Sequence, residues 1–83
     1  MASGIIASIA GVGTVVYTPT VLTKFTIILS ASINSYASVN GMNIYVPAAS
    51  TVSFSMWGNS GIAITFIGTA NTFVTVTALE TGY

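Results

Sequence analysis

The sequence predicts an all-β domain, a small antiparallel β-sandwich or jelly-roll-like unit that works as an oligomer. Three observations carry that expectation. Apolar and polar residues alternate with a period of two through most of the chain, and the alternating runs are rich in Val, Ile, Thr, Phe and Tyr, which suit a pleated, half-buried surface. Turn chemistry recurs about every ten residues, the spacing of a sandwich or barrel. The third is charge: 83 residues carry one Lys, one Glu and no His or Cys, where an ordinary soluble domain is roughly one quarter charged.

Interspersed charge keeps free protein surfaces from associating. A chain that is 53% hydrophobic and holds two charged side chains is therefore expected to have its surface covered by copies of itself and by neighbouring proteins. Size points the same way. A domain this short buries only roughly 60% of its unfolded surface, and small scaffolds recover stability through disulfides, metals or oligomerisation. With no Cys and no His, oligomerisation remains.

Residues 1–13 read as an apolar N-terminal arm or edge segment ahead of a sandwich over 14–83. Ile5, Ile6, Ile9 and Val12 are strongly apolar, yet Gly4, Gly11, Gly13 and the small residues between them give no sustained pattern. The expectation is an arm laid onto a neighbour, with an edge strand or a short helix at Ile5 to Ala10 as the alternatives. No basic residue precedes the stretch, so it does not read as a cleavable signal. Thr, Ser, Asn or Gly interrupts every apolar run well short of the about 20 residues that a membrane-spanning helix needs.

Beyond Pro19 the longest strand is expected over Val21 to Ile33. Val21, Phe25, Ile27, Leu29, Ala31 and Ile33 point one way, and Lys24, Thr26, Ser30 and Ser32 the other, with Thr23 and Leu22 exchanged between the faces. Leu22 and Ile28 interrupt the polar face and mark it as a subunit contact. Asn40-Gly41 is a preferred pair for a two-residue hairpin, because both central residues need positive φ. Strands then follow at Met42 to Val46, Val52 to Met56, Ile62 to Phe66 and Phe73 to Leu79, separated by Pro47 to Ser50, Gly58 to Gly61 and Gly68 to Asn71. The last strand has apolar residues on both faces, as burial by a core and by a neighbour requires.

The sequence offers little to catalysis. Acid and base chemistry needs positioned groups such as His or paired carboxylates, and Glu80 is the only carboxylate side chain. Lys24 has no acid or base beside it in the strand, and the many Ser and Thr hydroxyls have no His to activate them. The expectation is no enzyme, no metal site and no cofactor. Gly11-Val12-Gly13 lacks the third glycine of a dinucleotide-binding turn. A single cation removes the electrostatic footprint that nucleic acid or anionic lipid requires. Trp57, before Gly58-Asn59-Ser60-Gly61, either presents its indole to a sugar or protein partner or covers one end of the core. Tyr36, Tyr45 and Tyr83 are further aromatics at strand ends or the C-terminus.

The stretch Gly13-Thr14-Val15-Val16-Tyr17-Thr18-Pro19, the strand Phe25-Thr26-Ile27-Ile28-Leu29-Ser30, and Tyr45-Val46-Pro47-Ala48-Ala49-Ser50-Thr51-Val52-Ser53-Phe54 together resemble small β-sandwich proteins of tailed-bacteriophage virions, of the head-decoration or fibre type. The likeness covers about half the chain and departs at Ala49, where those proteins usually have glycine. It implies a virion structural protein, commonly a homotrimer, with no catalytic residues. The leading expectation is a capsid decoration, or cement, protein that binds itself and other virion proteins through Ile5, Ile6, Ile9, Leu22, Ile28 and Trp57. The alternatives are a tail-fibre module that binds a receptor or glycan through its aromatics, and a subunit of an extracellular β-rich filament that pairs edge strands.

Overall fold

The period-two pattern becomes strand after strand in a computed structural model, which describes residues 3–81. Eight strands run in the order β1 (Ser3–Ala10), β2 (Gly13–Tyr17), β3 (Thr23–Ala31), β4 (Ser35–Val39), β5 (Met42–Val46), β6 (Thr51–Gly58), β7 (Ile64–Gly68) and β8 (Thr72–Glu80), with no helix among the described residues. Pairing is nested about one hairpin: β4 with β5, β3 with β6, β2 with β7 and β1 with β8, all antiparallel. The ribbon so formed is wound into two four-stranded sheets, β1-β8-β3-β6 and β2-β7-β4-β5, joined laterally by the β3–β8 and β4–β7 pairs. That is the jelly-roll arrangement, reached here with turns of only a few residues.

The hairpin at the centre of the nest forms because Asn40 and Gly41 take φ of 51° and 83°, the positive values that a twist-matched two-residue turn needs. Its register then follows residue by residue, from Val39 opposite Met42 to Ser35 opposite Val46. Between the sheets, Phe25, Ile27 and Leu29 of β3 and Val74 and Val76 of β8 face Val39, Val46 and Phe66 of the other sheet, all essentially inaccessible. Phe25 centres the cluster, edge-to-face with Tyr17 at 5.7 Å and tilted against Phe66 at 6.0 Å. Thr23 and Thr72 are buried polar residues on this inner face; their hydroxyls donate to the Val21 carbonyl at 2.8 Å and the Thr69 carbonyl at 2.7 Å. Among the described residues no buried side-chain nitrogen or oxygen lacks a partner, as a dry core requires.

Several boundaries differ from those the pattern suggests. The long strand ends at Ala31 because the Ser32 N–H turns away to the Asn71 carbonyl at 3.0 Å, and Ile33 leaves the inner face and stands exposed. Ile62 is likewise exposed: its N–H closes a turn onto the Asn59 carbonyl, so β7 begins two residues later than the alternation does. Strands β2 and β4 are not among those expected, being short and built partly of Ser, Ala and Gly.

The largest difference is at the N-terminus. Ser3 to Ala10, expected as an arm with an edge strand as the alternative, form edge strand β1 against β8. Ala7 and Ile9 turn into the core, 4% and 6% exposed. The reason lies in two glycines that face each other in the β2–β7 pair, Gly13 and Gly68. A Cβ on either would sit 2.9 Å from the Ile9 Cγ2 methyl, so the absent side chains make the socket that Ile9 fills. A bulge at Ile6, where the register shifts between Ile5 and Ala7, produces the broken periodicity.

Candidate functional site

Strand register places the exposed side chains in rows across each sheet. On the outer face of the β1-β8-β3-β6 sheet, Leu79, Lys24 and Trp57 form one row; Ile5, Thr77, Thr26 and Ser55 the next; Ser8, Thr75, Ile28 and Ser53 the third; and Phe73, Ser30 and Thr51 the fourth. The face is thus a field of hydroxyls studded with large apolar groups. Ile5 is 69% exposed, Trp57 57% and Ile28 42%. Lys24 is its sole charge.

Three of the six contact residues expected from sequence, Ile5, Ile28 and Trp57, therefore share one face, brought together by β1, β3 and β6. The other three do not join them. Ile9 is a core residue, since its side chain occupies the Gly13–Gly68 socket. Ile6, at the bulge, is half-buried and packs against the core. Leu22 lies ahead of β3 and is also half-buried, its carbonyl accepting both the N–H and the hydroxyl of Thr81 at 3.0 and 2.7 Å. It belongs to the tie between the β2–β3 loop and the C-terminal segment.

The outer face of the second sheet carries Val16, Ile67, Tyr36 and Tyr45 among Thr14, Ser38 and Asn43. Tyr36 and Tyr45 stand directly opposite each other, both exposed, with ring centroids 5.3 Å apart and planes tilted by 56°. Sequence reading placed these two rings at separate strand ends. The Asn40-Gly41 turn was the signal that pairs them, because a two-residue hairpin fixes every opposing position on its arms.

One open pocket of about 210 Å³ lies where β1, β2 and β8 meet, with Ile5, Ile6, Tyr17, Ala78 and Glu80 in its lining. Glu80 is the single carboxylate there, and the other lining groups are apolar or hydroxyl-bearing. No second acid or base stands with it to move a proton.

The sheet edges complete the inventory. β6 is the outermost strand of its sheet and pairs on one side only, with β3, in unbroken register from Gly58 to Thr51. Its inward residues Val52, Phe54 and Met56 are half-buried against the core. No family model, no curated protein and no solved structure matches the chain.

Proposed function

We propose that this chain is a structural protein of a virus particle, a capsid decoration or cement protein of a tailed bacteriophage, which acts as an oligomer and needs no catalytic residue, metal or cofactor. The observation that carries the reading is the surface. Its accessible area is 4519 Å², close to the roughly 4,700 Å² that size alone predicts for a folded monomer; shape is ordinary and composition is not. Among the described residues thirteen large hydrophobic side chains are exposed, on both sheet faces and on the loops, with one Lys and one Glu in the whole chain. Such a surface suits a protein held on several sides by neighbours, since scattered apolar contacts gain about 25 cal/mol per Å² buried and symmetry repeats each gain. Jelly-rolls recur in viral shells and also in lectins. The fold therefore favours neither by itself, and the weight rests on the surface.

Electron cryomicroscopy of particles isolated with this chain tests the reading. Density for the sandwich at symmetry-related joints on the outside of a shell is the expected result. Recovery of the chain free in solution, apart from any particle, overturns it.

A second reading, a fibre module that binds glycan, is favoured by Tyr36 and Tyr45, whose exposed rings would stack on a sugar face with Asn43 beside them. Titration with oligosaccharides, followed through the tyrosine ring resonances, would move those signals under the second reading and leave them in place under the first.

A further inference from the structure

We infer that β6 is a self-pairing edge: two copies of the chain join β6 to β6, antiparallel about a two-fold axis at Phe54, and so turn two four-stranded sheets into one of eight strands. The inference stands on β6 and is independent of the virion reading.

An unpaired edge presents backbone N–H and C=O groups at every second residue, and what satisfies them best is another extended strand. Natural edges are therefore short, bulged, charged or interrupted by proline. The other three edges of this molecule are blunted in those ways. β1 is bulged at Ile6, β2 and β5 are five residues each, and β5 runs directly into Pro47. β6 has none of these features: eight residues, no proline, no charged side chain and no register shift.

The sequence of β6 is complementary to itself. Same-face pairing in an antiparallel ladder requires opposed residues of matching parity. About an axis at Phe54, Thr51 then meets Trp57, Val52 meets Met56, Ser53 meets Ser55 and Phe54 meets Phe54. Apolar residues oppose apolar ones on the inner face and hydroxyls oppose hydroxyls at the centre of the outer face. With no charge on the strand, no like charges meet across the axis, which is the usual obstacle to self-pairing. The half-buried row of Val52, Phe54 and Met56 gains further cover from the same row of the second copy. A second copy is the occupant because this match comes from one strand read against itself.

Sedimentation velocity across a concentration series tests the inference, with two double variants at exposed outer positions. Ser53→Lys with Ser55→Lys sets like charges opposite each other twice and is expected to weaken the dimer about tenfold. Ser53→Lys with Ser55→Glu sets opposite charges across the axis and is expected to retain it. Circular dichroism establishes that each variant keeps the native fold. Should a variant misfold, mixed-isotope labelling of the native chain gives the answer instead, through a Phe54–Phe54 contact between differently labelled copies. A native chain that stays monomeric, a trimer indifferent to both variants, equal loss in both, or no Phe54–Phe54 contact overturns the inference.

Discussion

The two edges of the β1-β8-β3-β6 sheet meet the same problem in opposite ways. β1 turns Ala7 and Ile9 into the core, seals Ile9 into the socket left by Gly13 and Gly68, and is bulged at Ile6. β6 is regular along its length and leaves Val52, Phe54 and Met56 half-buried. One edge is finished within the chain and the other is left to a partner. In a molecule with two charged side chains, the usual device for guarding an edge is missing from both, and packing and backbone irregularity guard β1 in its place.

The sharpest way to break this contrast is a charge at each edge. Ile9→Asp puts an unpaired carboxylate into the β1 socket and is expected to cost about 3–5 kcal/mol. For a domain of this size that is enough to unfold it, which thermal melting by circular dichroism will show. A charge on the outer row of β6 leaves folding intact and acts on association. Gly68→Ala probes the socket more gently: the added methyl would meet the Gly11 carbonyl at 2.6 Å and the Ile9 methyl at 2.9 Å. The expected loss is about 1–3 kcal/mol from overpacking, read from chemical denaturation.

How much of this was legible in the sequence depends on where tertiary contacts take over. Strand β5 and its turn were readable because Asn40-Gly41 and the Met42 to Val46 alternation are local signals that agree. The inner and outer faces of β3 and β8 were readable for the same reason, including Thr23 on the apolar face, where its hydroxyl is satisfied by the Val21 carbonyl. β1 was not, since its bulge breaks the alternation and its socket pairs the nearby Gly13 with Gly68, far along the chain. Of the candidate contact residues, Ile5, Ile28 and Trp57 share a face only through strand order. Nothing local in the sequence states that β1, β3 and β6 lie in one sheet.

The turn that leads into β6 gives a smaller, stabilising test. Ala49 holds φ of 57°, a conformation that costs an L-residue roughly 1–2 kcal/mol. Glycine relieves that strain but adds about 0.4–1 kcal/mol of unfolded-state entropy. Ala49→Gly is therefore expected to stabilise the fold by about 0.5–1 kcal/mol in denaturant titration. The smallest effect belongs to Ile5, on the same strand as Ile9 but 69% exposed. Ile5→Ser should leave the melting behaviour within about 0.5 kcal/mol of the native chain, and a larger loss would mean that the outer face of β1 also supports the monomer.

The contrast between a closed β1 and an open β6 is tested most directly by backbone hydrogen exchange on the native chain at low and high protein concentration. The amides of β6 that point away from β3 should exchange more slowly as concentration rises, while those along β1 stay unchanged. Concentration-dependent protection of β1, or none on β6, would contradict the account.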